Sequence, residues 1–293
     1  MNPLAQSITS RLSACYSQGE ARALARILCC EVLGQSDVDF FVGKDTVLSD
    51  NERKKVEDII QRLLLFEPIQ YIQGEAPFMG ERFKVNTDVL IPRPETAELV
   101  QLVVDEMKVC GTAQAALRLL DIGTGSGCIA VMLARLLPSA EVEAWDISSE
   151  ALGIARENAL RMGCQVDFKR RDVLTYTPSL EEMGRYAAVV SNPPYICLHE
   201  AQQMECNVLD WEPNLALFVP DDDPLRFYRC IASQSSTLLR PGGRLYFEIN
   251  QAYGNEVVEL LKGLKYSEVA LLHDLQGNPR MVKAVCNRDH DNR

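Results

Sequence analysis

The chain has 293 residues, of which 47% are hydrophobic, and its 30 basic and 41 acidic residues give a formal charge of −11. This length and apolar content suffice for one large or two smaller globular domains with packed cores. The acidic charge disfavours a broad attraction to nucleic acid phosphates. A local basic patch at residues 169–171 ("KRR") stays possible, with a solvated strand end as the alternative.

The spacing of the cysteines and the length of the apolar runs indicate the cellular compartment. The ten cysteines are scattered without a C-x-x-C pair, and only three histidines are available to help bind a metal. Neither a zinc site nor a disulfide framework is indicated, and reduced thiols in a cytosol are the simplest interpretation. No apolar run resembles a signal peptide or approaches the roughly 20 residues of a membrane helix. We therefore expect a cytoplasmic protein with no metal and no membrane segment.

Residues 1–75 are predicted to form a small helical domain. The segments "EARALARILCCEVLG" and "DNERKKVEDIIQRLLLF" repeat apolar residues at the i, i+3, i+4 spacing of a helix, and Ser49 or Asp50 can cap the second. The next segment, "FMGERFKVNTDVLI", has a period near two. We expect a β-hairpin linker over residues 76–92, with Phe83 and Val85 opposite Val89 and Ile91 across the turn-forming letters "NTD".

Residues 93–293 are predicted to form an α/β domain. Pro94 and Glu95 are suited to a helix start, and from about residue 116 strand patterns alternate with helix patterns. This alternation indicates a mostly parallel sheet with helices on both faces. Two late strands, "EVALLHDL" and "RMVKAVC", are joined by "QGNP" and would add an antiparallel hairpin at the sheet edge.

The segment "LLDIGTGSGCIA" places Gly123, Gly125 and Gly127 at a turn from a strand into a helix. Such a turn lets a ligand lie against the backbone, but it also occurs in dinucleotide sites or for tight packing alone. Asp146 ends the next strand, about twenty residues further on, where a carboxylate can accept hydrogen bonds from ribose hydroxyls. Together they predict a nucleoside-bearing ligand; the alternative for Asp146 is a solvated strand end.

The segment "VVSNPPYICL" ends an apolar strand with Asn192-Pro193-Pro194-Tyr195. A strand-ending turn explains many Asn-Pro pairs. The tetrapeptide also suits methyl transfer to a conjugated nitrogen, which is a poor nucleophile. The Asn192 side-chain oxygen and the Pro193 carbonyl would accept the two N–H groups of the target and favour charge build-up as it attacks, while Tyr195 would stack on the flat group.

Several of these segments together resemble a known family. "DIGTGSGCIA" and "SNPPYI" resemble class I S-adenosylmethionine-dependent methyltransferases. "IPRPET", "WEPNLAL" and "GGRLYFEI" resemble more narrowly the HemK/PrmC family, which methylates the glutamine of the Gly-Gly-Gln loop in class-I peptide chain release factors. The resemblance runs from about residue 67 to 285, and the helical N-terminal domain also suits it.

The resemblance implies a Rossmann-like, seven-stranded sheet, S-adenosylmethionine as methyl donor with S-adenosylhomocysteine as product, and a release factor recognised by the helical domain. We also expect a monomer and, from the acidic charge, no direct binding of nucleic acid. The cofactor-binding residues that it implies are Gly123, Thr124, Gly125, Ser126, Gly127, Asp146, Asp172, Val173 and Asn192. The residues implied to bind the glutamine are Asn192, Pro193, Pro194, Tyr195 and Arg93, with Asn192, Pro193 and Tyr195 as the catalytic group.

Three positions depart from the family pattern. Val173 follows Asp172 where tryptophan is often found in the adenine-facing loop, "DDDPLRFYR" replaces a more usual Asp-Gly-Leu, and Asn250 stands where glycine is common. These departures put the local loop geometry in question.

Three alternative functions stay open. A sister enzyme methylates a glutamine of a large-subunit ribosomal protein and shares "NPPY", but it tends to have serine after the arginine of "IPRPET". DNA adenine methyltransferases use the same tetrapeptide on a flipped base, although they need a DNA-reading domain and positive charge. A catalytically silent binding module would have little reason to keep the glycines, Asp146 and Asn192 together.

Overall fold

The computed structural model describes residues 2–43, 47–110 and 117–287, with the side chain of residue 110 excepted. It divides into two compact units: Met1–Gln73 with Glu205–Trp211, and Gly74–Met204 with Glu212–Arg293. The predicted division near residue 75 did not anticipate that Glu205–Trp211 belongs with the helical unit. No helix among the described residues is long and apolar enough to cross a membrane.

The first unit is helical. Its helices are α1 (Pro3–Leu12), α2 (Gln18–Ile27), α3 (Asp37–Val42), α4 (Asp50–Leu64), α5 (Ile69–Gln73) and α9 (Cys206–Leu209), and a π-helical turn (Leu28–Val32) continues α2. Ser49 caps α4: its hydroxyl accepts from Glu52 N at 3.3 Å, while the Glu52 carboxylate accepts from Ser49 N at 2.8 Å. This reciprocal pair satisfies two backbone donors, so α4 begins where the sequence placed it. Ile8, Leu24 and Ile60 lie in the shared core.

The second unit alternates strands and helices. Its strands are β1 (Glu75–Phe78), β2 (Glu81–Lys84), β3 (Leu117–Ile122), β4 (Ala140–Asp146), β5 (Val166–Arg170), β6 (Tyr186–Ser191), β7 (Ile196–Cys197), β8 (Phe218–Val219), β9 (Leu239–Glu248), β10 (Tyr266–His273) and β11 (Pro279–Cys286). Its helices are α6 (Pro94–Cys110), α7 (Cys128–Leu136), α8 (Ser149–Arg161), α10 (Asn214–Leu217), α11 (Arg226–Leu238) and α12 (Gly254–Gly263). Pro94 opens α6, as expected for a residue that needs no amide partner there.

Seven strands form one sheet in the order β10-β11-β9-β6-β3-β4-β5. The neighbours from β9 to β5 pair in parallel, whereas β11 pairs antiparallel with both β9 and β10. The predicted mostly parallel, seven-stranded sheet is confirmed, including the antiparallel pair at its edge.

The sheet is buried on both faces, which explains its nearly continuous apolar strands. Leu119 of β3 points into a core shared with α6 and α7, and its neighbour Leu120 points into a second core shared with α11 and α12. With both faces covered by apolar side chains, polar groups collect where the parallel strands end. The chain segments that follow β3, β4 and β6 therefore lie together at one edge.

The hairpin differs from the predicted one. Strands β1 and β2 are joined by Met79 and Gly80, with φ of 48° and 83°, and not by the segment at residues 86–88. Two successive positive φ angles match the tight turn that the twist of a hairpin favours. Asn86 forms a local turn instead, because its side-chain oxygen accepts from Asp88 N at 3.0 Å. The predicted opposition of Phe83 and Val85 to Val89 and Ile91 is therefore wrong.

Candidate active site

A cavity of about 400 Å³ opens at the carboxyl edge of β3, β4 and β6. Its walls come from the residues that follow these strands and from the segments 87–93 and 213–216. Its size is in the usual range for a small-molecule site, and its place matches the general rule for ligands of open α/β sheets. The predicted site residues can therefore be tested against one location.

The glycine turn forms one wall of the cavity. Gly123, Thr124, Gly125 and Ser126 line it, and the left-handed φ of 54° at Gly125 is accessible to glycine without strain. Gly127 does not line the cavity. A Cβ on Gly127 would lie 3.0 Å from the Ala155 Cβ on α8, so this glycine permits close packing of two helices. Of the predicted cofactor residues in this turn, Gly127 has a packing position and the other four face the cavity.

Asp146 also lines the cavity, at the end of β4. Its Oδ2 accepts from Gly125 N and its Oδ1 from Ser148 N, both at 2.9 Å. Burial raises the pKa of this carboxyl, while the backbone donors oppose that shift. A carboxylate offers about four acceptor positions, so two remain for a ligand. The arrangement suits a pair of vicinal hydroxyls.

The loop after β5 brings Asp172 and Val173 to the cavity wall. Asp172 Oδ1 accepts from Leu174 N at 2.9 Å and so shapes the loop, and Gln234 of α11 donates to the Val173 carbonyl at 2.5 Å. Gln234 was not identified from the sequence. Its amide donates to the carbonyls of both Val173 and Tyr176 and so fixes this loop against α11.

Arg171 is a further wall residue that the sequence analysis did not assign to the site. Its guanidinium lies 4.4 Å from the Trp145 ring centroid and 4.3 Å from that of Tyr176, and it pairs with Glu182 at 2.8 Å. Its neighbour Lys169 pairs with Glu143 at 2.8 Å. The ammonium of Lys169 and the guanidinium of Arg171 are therefore engaged by acidic partners.

Asn192 follows β6 and lines the cavity with Pro193 and Pro194. Its amide nitrogen donates to Thr96 Oγ1 at 3.2 Å, and the Thr96 hydroxyl donates to Glu248 Oε2 at 2.6 Å. Within residues 2–43, 47–110 and 117–287, no hydrogen bond engages the Asn192 side-chain oxygen. This oxygen is the acceptor that the sequence analysis assigned to the target amide.

Tyr195 is positioned differently from the prediction. Its hydroxyl donates to Glu248 Oε1 at 3.3 Å, its ring packs against the core between the sheet and α11, and it does not line the cavity. In this conformation it cannot stack on a group bound in the cavity. From residue 196 onward the chain forms β7, which pairs with β8.

Arg93 lines the cavity, but its charge has a partner. The guanidinium lies 2.5 Å from Glu212 Oε1, and Glu212 Oε2 accepts from Ile91 N at 3.3 Å. Burial raises the pKa of Glu212, and Arg93 opposes this. Glu212 thereby ties the segment 213–216 to the segment 87–93, both of which form cavity walls. Arg93 has a structural contact besides the predicted substrate contact.

One group of donor atoms in the described part of the chain has a spacing that could hold a metal: Cys197, His199 and Asp221 lie within 4.8 Å of one another. Their proximity is explained without an ion, because His199 Nδ1 and Asp221 Oδ1 form a hydrogen bond of 2.9 Å and the buried Cys197 contacts the Tyr253 hydroxyl at 3.4 Å. The expectation of a metal-free protein stays a prediction.

The site combines a glycine turn, a carboxylate suited to ribose hydroxyls and the side-chain amide of Asn192 in one cavity. Apolar side chains complete its walls, among them Ile147, Phe227 and Ile231. Such a cavity can hold a nucleoside beside a second group that donates hydrogen bonds to Asn192. A cavity of this kind is suited to transfer between two bound reactants.

The chain matches two family models, "Methyltransferase small domain" at residues 100–210 and "PrmC N-terminal domain" at residues 4–74. The release factor glutamine methyltransferase of Bacteroides thetaiotaomicron is 50% identical over 97% of this chain and 99% of that protein. The enzyme of the same name from Streptococcus pneumoniae is 41% identical over 95% of this chain and 97% of that one. A methyltransferase structure from Pyrococcus furiosus has 14% identity and a TM-score of 0.50, covering 82% of this chain and all 100% of that one. The last likeness concerns the fold alone.

Proposed function

The chain belongs to the release factor glutamine methyltransferase family, and on that basis we propose that its cavity brings a glutamine side chain of a release factor beside S-adenosylmethionine. The enzyme is a methyltransferase that uses S-adenosylmethionine as donor and leaves S-adenosylhomocysteine. The specific target that we propose is the amide nitrogen of the glutamine in the Gly-Gly-Gln loop of class-I release factors. The observation that carries this proposal is the unengaged side-chain oxygen of Asn192 beside the glycine turn.

The residues present fit the cofactor. Gly125 leaves its backbone open to the cavity, and Asp146 keeps two acceptor positions for the ribose hydroxyls. Asp172 and Val173 would face the base, and Ile147 would add an apolar contact. When bound, S-adenosylmethionine supplies an electrophilic methyl group on a sulfonium.

The proposed catalytic role of the chain is to orient a weak nucleophile. An amide nitrogen has its lone pair in conjugation, and two acceptors on its N–H groups would favour the charge that develops as it attacks. Asn192 Oδ1 would accept one N–H and the Pro193 carbonyl the other. The order of events needs no base before methyl transfer, because the amide proton can leave afterwards. Tyr195 would contribute through its bond to Glu248 and not by stacking.

Several features support a protein substrate in the cytoplasm. The charge of −11 disfavours DNA, and the nine cysteines whose side chains are described are free thiols, as a reducing compartment requires. We assign recognition of the remainder of the release factor to the helical unit, and we expect the enzyme to act as a monomer. Glycines on either side of the target glutamine would let a loop tip enter the cavity.

The test offers radiolabelled S-adenosylmethionine with a release factor, a large-subunit ribosomal protein and duplex DNA in separate reactions. Label is expected on the release factor alone, and it should vanish when the loop glutamine is replaced by alanine. Label on the ribosomal protein or on DNA would assign the chain to one of the two alternative functions. Cofactor binding without label on any of the three would favour a silent binding module.

A further inference from the structure

Three polar side chains from distant parts of the chain meet at the cavity wall, which Thr96 and Asn192 both line. Thr96, the third residue of α6, is 2% exposed, and Glu248, the last residue of β9, is 1% exposed. Asn192 lies next to Glu248 because β6 and β9 pair in parallel, with Ser191 opposite Phe247. The Thr96 hydroxyl bridges the other two, at 2.6 Å from Glu248 Oε2 and 3.2 Å from the Asn192 amide nitrogen.

The proton of the Thr96 hydroxyl has only one direction to take while Glu248 is ionised. A carboxylate has acceptors only, and a hydroxyl has one proton, so Thr96 donates to Glu248. It can then only accept from Asn192, and the Asn192 amide must turn its nitrogen toward Thr96. Its oxygen is left for the cavity. The reversed amide would place two acceptors against each other at Thr96 and two donors against each other at a bound glutamine.

We propose that Thr96 and Glu248 are positioning residues whose hydrogen-bond chain fixes the side-chain oxygen of Asn192 toward the substrate amide. This inference rests on the proposed function of the cavity, because it assumes that Asn192 receives the glutamine. These hydrogen bonds need no substrate to form, since Thr96, Glu248 and Asn192 are already in contact in the protein alone. Tyr195 adds to it by donating to the other carboxylate oxygen of Glu248 at 3.3 Å.

Protonation of Glu248 would reverse the direction of these hydrogen bonds. A neutral Glu248 can donate to Thr96, which frees the Thr96 proton to point at Asn192 and favours the reversed amide. Burial raises the pKa of Glu248 to about 7, so this change falls near neutral pH. The charged or titratable groups that face Glu248 are Glu95 of α6, Cys128 of α7, Tyr195, Tyr228 of α11 and Arg280 of β11. Among these groups, Arg280 lowers the pKa of Glu248 and Glu95 raises it.

The test compares Thr96→Val, which keeps the shape but loses the hydroxyl, with Thr96→Ser, which keeps the hydroxyl. Thr96→Val should lower kcat about ten- to a hundredfold, as expected for one misdirected hydrogen bond in the transition state, while KM for the release factor and Kd for S-adenosylhomocysteine change by less than about twofold. Thr96→Ser should recover most of the loss. Equal losses in both variants, or a kcat within twofold of the wild type in Thr96→Val, would overturn the proposal.

Glu248→Gln keeps the shape of the side chain and removes the carboxyl group that takes up the proton. Turnover of the wild type should decline as the pH falls through about 7. Glu248→Gln should turn over slowly at all pH values, and its turnover should not show this decline below about pH 7. If the turnover of Glu248→Gln still declined at low pH, that decline would belong to another group, and the proposal would be contradicted.

A measurement without substrate separates this inference from the proposed function. In nitrogen-15 spectra of the full chain, the side-chain amide pair of Asn192 can be assigned by its loss in Asn192→Ala. Its shift should follow a titration near pH 7 in the wild type and not in Thr96→Val or Glu248→Gln. If the Asn192 shift titrates only in the wild type but the release factor is not labelled, the proposed function is wrong. The orientation of Asn192 by Thr96 and Glu248 is then still supported. If the amide resonances of Asn192 do not titrate in the wild type, the hydrogen bonds through Thr96 and Glu248 do not control the orientation of Asn192.

Discussion

Replacing Asp146 by alanine should weaken the binding of S-adenosylmethionine without unfolding the protein. Of about four acceptor positions on this carboxylate, Gly125 N and Ser148 N each occupy one at 2.9 Å, which leaves two for ribose hydroxyls. A hydrogen bond to a charged group contributes about 1.5 to 3 kcal/mol. The loss of even one therefore lowers affinity about 10- to 150-fold, and the loss of both more.

Two further variants serve as comparisons. Asp146→Asn keeps the size of the side chain but loses the charge and one acceptor oxygen, so it shows how far the remaining oxygen alone supports the turn and the cofactor. Asp167→Ala removes an exposed aspartate of β5 that lies 3.2 Å from Lys169 and does not line the cavity. Calorimetry should give wild-type affinity for Asp167→Ala and weak binding for Asp146→Ala, with urea unfolding as the check on folding.

The pH dependence of binding gives a second measurement on the same residue. Because burial raises the pKa of Asp146, its carboxylate takes up a proton at a higher pH than a free aspartate does. Affinity of the wild type should then decline as the pH is lowered, and Asp146→Ala should lack that decline. Unchanged affinity in a folded Asp146→Ala protein would refute the reasoning and return Asp146 to the role of a turn residue.

Three further substitutions test other parts of the site. Asn192→Ala should lower kcat about 10²- to 10³-fold, or roughly 3 to 4 kcal/mol, with cofactor affinity retained; near-normal turnover would make the tetrapeptide a structural turn. Gly127→Ala should lower the free energy of unfolding in urea by about 1 to 3 kcal/mol, because its φ is 82° and its Cβ would lie 3.0 Å from that of Ala155. Glu212→Gln should raise KM for the release factor and cost about 1 to 3 kcal/mol of stability, since its bond to Arg93 joins two walls; an unchanged KM would restrict the pair to folding.

The contact between the glycine turn and Asp146 was predictable because it follows from the topology of a parallel sheet. In a parallel sheet the carboxyl ends of strands share an edge, so a glycine turn after one strand and Asp146 after the next must lie close together. The structure places Gly125 N 2.9 Å from Asp146 Oδ2 at that edge. Turn chemistry was less decisive for the hairpin. Asn86 and Asp88 are good turn residues and do form a turn, yet Met79 and Gly80 make the reversal between strands.

The departures at two loop positions are explained by contacts that sequence spacing does not reveal. Asn250 has a φ of −65°, so its backbone does not require glycine, and its amide donates to the Tyr195 carbonyl at 3.1 Å. Val173 lacks the large ring that the family often has, but its carbonyl is held by Gln234, 61 residues further along the chain. Both positions are held by hydrogen bonds to residues distant in the chain.

The orientation of Asn192 shows where sequence reasoning ends. The letters "NPPY" predict that an amide stands at the strand end, but the two ends of an amide have nearly the same shape and opposite hydrogen-bonding roles. Which end faces the cavity depends on Thr96, 96 residues earlier in the chain, and on Glu248, 152 residues after Thr96. It depends in addition on the charge of Glu248, which burial sets and no motif records. A residue can therefore be identified correctly from its motif while its chemical role is decided by partners that only the folded chain brings to it.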